Sequence, residues 1–168
     1  MPHSSDAPGP RLLRLWQRLS PLPGGAWLFS RALGVMVPYS GTVGALVEAL
    51  EPGHARLRIR DRRRVRNHLH SVHAIAIANV GELASGLAVL TGLPPTVRGI
   101  VTGLDVRYLK KARGGLRAEA HVHVPTVTEP LEHTVTAEVF DAEGDAVATV
   151  TARWRLSPAQ SDPSPSSG

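Results

Sequence analysis

The chain has 168 residues, a net charge of +5 and hydrophobic residues at 42 % of its positions, enough for one domain with a substantial core. It has no cysteine, which excludes disulfides and thiolate metal sites. Glu82 interrupts the one stretch that approaches the roughly 18 apolar residues of a membrane span, and the opening MPHSSDAPGP lacks the basic-then-apolar order of a secretory signal, so a cytoplasmic location is expected.

Residues 1–9 and the tail 157–168 are rich in Pro, Ser and Gly, a composition that predicts disorder. Residues 10–39 form an N-terminal helical segment. Leu12, Leu13, Leu15, Trp16 and Leu19 recur at helical spacing, and Pro21, Pro23 and Gly24-Gly25 then break the chain. A second amphipathic helix is predicted over Ala26 to Val37, ending before Pro38. The two helices could cover a sheet edge, dock a partner or touch a membrane surface. Leu12, Leu15, Trp16 and Leu19 read as packing residues.

Residues 40–156 read as the main domain. Strands are predicted at 43–50 and 54–60, joined at Glu51-Pro52-Gly53-His54. A long helix follows over about 71–90, with Ser71 as its N-cap. Four more strands are predicted near 98–109, 116–124, 132–141 and 145–156. Leu116, Ala118, Ala120, Val122 and Val124 alternate with Arg117, Glu119, His121 and His123. Ala146, Ala148, Val150, Ala152, Trp154 and Leu156 alternate with Val147, Thr149, Thr151, Arg153 and Arg155. Such strands suit an antiparallel sheet with one face covered. Asp141 to Asp145 is a hairpin turn in which Gly144 can take positive φ. One apolar helix between two strands and four implies an α+β fold, a sheet curled around a buried helix. No glycine-rich nucleotide loop is present.

Within the long helix, Ile77, Val80, Ala84, Leu87 and Leu90 form a bulky stripe that should face the sheet. Ile75, Ala78, Asn79, Glu82, Ser85 and Gly86 form a second, smaller and more polar one, suited to a partner subunit or a substrate cleft. An acid in so apolar a helix is paired or functional, because an unpaired buried carboxylate is costly. The first amides of the helix, near His73, Ala74 and Ile75, can stabilise negative charge on a carbonyl oxygen. Ala74 and Glu82 are eight residues apart, about 12 Å along a helix. A site that uses both needs two chains with antiparallel helices.

Arginine clusters at Arg56 to Arg66, and a second basic group comprises Arg107, Lys110, Lys111 and Arg113. Anionic partners are implied. Nucleic acid is not expected, because no stacking aromatics accompany the arginines. His68, His70 and His73, and separately His121 and His123, invite a metal reading but lie on no zinc signature, so no metal is expected.

Asn67, then His73-Ala74-Ile75, then Glu82 follow the spacing of a known motif, and Tyr108 to Leu116 (YLKKARGGL) is similar to that family's strand-to-turn segment. On these residues the chain resembles the hotdog-fold acyl-CoA thioesterases over roughly 40–156, and around Asn67 to Gly86 a thioesterase-like branch of that fold. The resemblance implies a long helix wrapped by a six-stranded antiparallel sheet, in a homodimer or a dimer of dimers, acting on an acyl-CoA or another acyl thioester. It implies Glu82 as general base or nucleophile, the Ala74 amide as oxyanion donor, and Asn67 as a positioner of carbonyl or water. His73 would either fix the loop or carry a proton. Lys110, Lys111, Arg113 or Arg64 would meet coenzyme A phosphates. No cofactor is implied beyond the coenzyme A of the substrate. Ala74 and Ile75 stand where the family has glycines, and Glu82 where Asp is common. The alternative is a non-catalytic member of the fold that binds acyl chains or serves as an interaction module.

Overall fold

A computed structural model describes residues 7–159. Helix α1 spans Pro8–Leu19, α2 Gly25–Met36 and the single turn α3 Pro38–Gly41. Strands β1 (Leu46–Glu51) and β2 (His54–Ile59) precede a 3-10 turn at Arg63–Val65 and the long helix α4, Ala74–Gly92. Strands β3 (Val97–Tyr108), β4 (Leu116–His121), β5 (Leu131–Phe140) and β6 (Ala146–Pro158) complete the chain. The six strands form one antiparallel sheet in the order β1-β2-β4-β5-β6-β3.

The expected alternation decides which face of the sheet meets α4. Leu57, Ile59, Leu116, Ala118, Val139, Val150 and Leu156 are all at most 1 % exposed. Against them α4 sets Ile77, Val80, Ala84 and Leu87, the stripe predicted for the sheet, while Leu90 is only partly covered. Val147 departs from the alternation and is fully buried. The register slips there, from Val139 opposite Ala148 to Phe140 opposite Ala146, so Val147 is the extra residue of a β-bulge and turns inward. Gly144 takes φ +89° in the β5–β6 turn.

The predicted ends need correction. Pro8 and Gly9 belong to α1 rather than to a disordered start, because proline suits a first helical turn. Ser157 and Pro158 continue β6, paired with Arg98 and Val97 of β3. The rest of the expected disorder, at 1–6 and 160–168, lies outside the described residues. Helix α1 packs on α4 and α2, with Leu12 buried and Trp16 edge-on to Phe29 at 5.1 Å. Helix α2 covers the β1 edge, where the Val47 amide donates to Ser30 Oγ at 2.8 Å. The opposite edge, β3, pairs only with β6 among the described residues. By length and composition α4 could cross a membrane, but 67 % of that stretch is buried within the fold.

Candidate active site

The loop before α4 is built by Asn67. Its Oδ1 accepts from the amides of Leu69 (2.9 Å) and Ser71 (3.1 Å), and its own amide donates to the Ser71 carbonyl at 2.8 Å. His70 closes the turn at φ +54°. The Val72 amide reaches the Ala112 carbonyl at 2.9 Å, and the His73 amide reaches that of Val65 at 2.7 Å. The Asn67 oxygen is therefore committed to the loop. Asn67→Ala should cost about 1–3 kcal/mol by leaving two amides unpaired, lowering the melting temperature by roughly 2–4 °C per kcal/mol. Asn67→Asp, which keeps the acceptor, should melt close to wild type. If Asn67→Ala slowed turnover with no change in melting, its amide group would belong to the substrate instead.

Ser71 is drawn into this loop, buried, so the N-cap is His73 and not Ser71. His73 Nδ1 accepts from the Ile75 amide at 3.1 Å, which leaves the proton of the neutral ring on Nε2. The His73 carbonyl takes the amides of Ala76 (2.9 Å) and Ile77 (3.1 Å). Of the first four amides of α4, only that of Ala74 has no hydrogen bond among the described residues. Tyr108 Oη donates to the Ala74 carbonyl at 3.0 Å and ties this turn to the end of β3. Burial pushes the Tyr108 phenol above its ordinary pKa. Beside the helix start lies a cavity of about 270 Å³, lined in part by Tyr39, Arg64, His73, Ile75 and Asn79.

Glu82 lies two turns further along. It is half-buried, with no hydrogen bond or ion pair to its carboxylate among the described residues. Burial raises its pKa above the usual carboxylate value. Ser85 Oγ turns to the Glu82 backbone carbonyl at 2.8 Å, and among the described residues no arginine reaches the carboxylate. A Cβ added at Gly86 would stand 3.9 Å from Glu82 Oε1 and 3.7 Å from Trp154 Cζ2, so carboxylate and indole share the space that this glycine leaves. Two side-chain polar atoms of the described residues are buried without a partner, Asn79 Oδ1 and Trp154 Nε1. One lies a turn before Glu82 and the other belongs to the indole whose six-membered ring faces Gly86, and such orphans call for an explanation. Sequence alone misses Trp154; the available signal was an inward-facing tryptophan whose N–H needs an acceptor.

The basic residues separate. Lys110 Nζ holds Asp141 and Asp145, each at 2.7 Å, and these bonds push its pKa up. It clamps the β5–β6 turn and is not free for phosphate. Lys111 and Arg113 are exposed. Arg66 is spent on Asp61 through two bonds, of 2.6 and 3.0 Å. Arg64 alone of the four expected cation residues lines the cavity at the helix start. The histidines also regroup. His121 stacks not with His123 but on His54 of the neighbouring strand, 4.1 Å between rings, and His54 Nε2 bonds Glu119 at 2.8 Å. His54, Glu119 and His121 lie within metal-ligand reach of one another. Arg56 competes for the same carboxylate at 3.9 Å.

Residues 25–156 match a domain family of unknown function, DUF4442. A protein solved in a genomics programme is 29 % identical, with 89 % of this chain and 97 % of that one covered and a TM-score of 0.76. A Pseudomonas aeruginosa protein of unknown function, named a probable thioesterase, is 26 % identical over 82 % of this chain and 97 % of its own, TM-score 0.70. A thioesterase family protein from Silicibacter pomeroyi, 23 % identical over 77 % and 96 % of the two chains with a TM-score of 0.65, agrees in fold. No curated protein matches the sequence. The curved antiparallel sheet around one long helix is the hotdog fold, and the chain belongs to the DUF4442 family.

Proposed function

We propose that this protein hydrolyses acyl thioesters, with acyl-CoA as the substrate class. The observation that carries the reading is the Glu82 carboxylate, half-buried and without a partner on α4. An acid so placed has no stabilising hydrogen bond or ion pair among the described residues, and a raised pKa is what a general base working near neutrality needs. Water gives a proton to Glu82 as it adds to the thioester carbonyl, and the Ala74 amide receives the charge that develops on the oxygen. Collapse then breaks the C–S bond, the departing thiolate taking the proton from Glu82 to leave as free thiol.

The two groups belong to different protomers of a homodimer. Eight residues of helix separate them by about 12 Å, too far for one carbonyl. The long β3 edge supports pairing, since Ile100 and Leu104 are 65 % and 41 % exposed along it, and an unpaired apolar edge is a template for another strand. His73 keeps the helix start in shape through its ring, and Arg64, Lys111 and Arg113 are the cations left for coenzyme A phosphates. The similarity to solved thioesterase-family proteins agrees with this reading. Purified protein given a panel of acyl-CoAs should release free thiol from at least one of them. Acyl-CoA binding with no thiol release would favour the non-catalytic acyl-binding alternative.

A further inference from the structure

Helix α2 has two apolar sides, and the fold uses one. Gly25, Phe29 and Leu33 are buried against α1 and the sheet. Opposite them Trp27, Leu28 and Val35 are 61 %, 50 % and 76 % exposed, with Arg31 among them. Met36 and Tyr39, 62 % and 70 % exposed, extend the surface into α3. A helix apolar all round is normally covered, and a contiguous exposed patch of this kind marks an interaction surface. The apolar residues of α1, by contrast, are used internally.

The chemistry beside the patch narrows the occupant. A groove of about 540 Å³ runs along it, with Trp27 and Val35 among its apolar lining and Arg31, Arg60 and Arg64 among its charged lining. No acidic residue lines the groove. None of these three arginines has a hydrogen bond or ion pair among the described residues. A second copy docked symmetrically would bring these arginines against their own equivalents with no acid between them. Exposed Trp and Tyr beside unpaired Arg is instead the composition of a helix that lies in the headgroup region of a membrane. We propose that the outward face of α2, with the arginines beside it, docks this protein onto an anionic lipid bilayer.

The test uses the full chain with vesicles of phosphatidylglycerol mixed into phosphatidylcholine, against vesicles of phosphatidylcholine alone. The protein should sediment with the anionic vesicles about tenfold more strongly and be released near 0.5 M salt, where screening is nearly complete. Trp27, 61 % exposed, supplies a local reporter, since Trp154 is only 5 % exposed and Trp16 is half-buried against Phe29. Emission should shift to the blue with anionic vesicles, and in Trp27→Phe that shift should vanish. The pair Arg31→Glu and Arg60→Glu, both exposed, should lose about tenfold in binding while the circular dichroism stays that of wild type. Equal partition to the two vesicle types would overturn the proposal. So would a blue shift that survives Trp27→Phe, or one produced without vesicles by raising the protein concentration, which would give the patch to a second copy.

Discussion

Glu82→Gln should slow thiol release from acyl-CoA by about 10²- to 10⁴-fold and leave the fold intact. Gln has the same shape but cannot accept the proton of an attacking water. Among the described residues the carboxylate has no hydrogen bond or ion pair for the substitution to break, so no lost contact among them would account for a lost rate. Burial alone raises the Glu82 pKa, and this adds a pH signature. In the folded state the acid holds its proton more tightly than in the unfolded chain. Below the ordinary Glu value both states are protonated and the residue contributes nothing. Between the ordinary and the raised value the folded state binds more protons, so stability falls as pH rises; above the raised value the penalty is complete. Glu82→Gln should therefore melt higher than wild type at pH 8 and lose that advantage in acid. The wild-type rate should climb with pH through the same raised value, because only the carboxylate is a base. A variant as active as wild type would remove Glu82 from the chemistry. A wild-type profile flat across this range would remove its ionisation.

What could be read in advance follows from how local each cause is. The strand faces of β4 and β6 were legible, because burying one side of a sheet imposes alternation directly on the sequence. The bulge at Val147 was not, since an extra residue leaves the same apolar letters in place. Glu82 stood out because an acid in an apolar helix is conspicuous whatever surrounds it. The loop role of Asn67 did not stand out for the opposite reason: the groups that claim its oxygen are amides, which every residue has. Ser71 looked the better cap until that loop drew it away and left His73 at the helix start. Lys110 meets Asp141 and Asp145 across more than thirty residues, and His54 meets His121 across two strands. Such pairs exist only once register is set. The α2 surface belongs with them, because an apolar stripe gives no sign of which side stays uncovered.

Gly81→Ala should destabilise the protein by about 1–3 kcal/mol, lowering the melting temperature by roughly 2–4 °C per kcal/mol for a chain of this size. Taken alone, the change should help, since Ala is favoured over Gly inside a helix by about 1 kcal/mol. Packing reverses the sign. A methyl at this position would stand 2.6 Å from Val150 Cβ, and closer still to one of its methyl carbons. Val150 cannot turn aside: it is fully buried in β6, and β-branched side chains have little rotamer freedom. The helix must then lift from the sheet or tilt. Because Glu82 is the next residue, that movement also displaces its carboxylate, so under the proposed mechanism turnover should fall together with stability. Val150→Ala in the same chain removes the obstruction and should recover much of the loss, giving a coupling energy well outside independent behaviour. Melting curves of wild type, both single variants and the double variant decide it. Strictly additive shifts would mean that the closeness of α4 to β6 is not held at Gly81, and that Glu82 owes its placement to another contact.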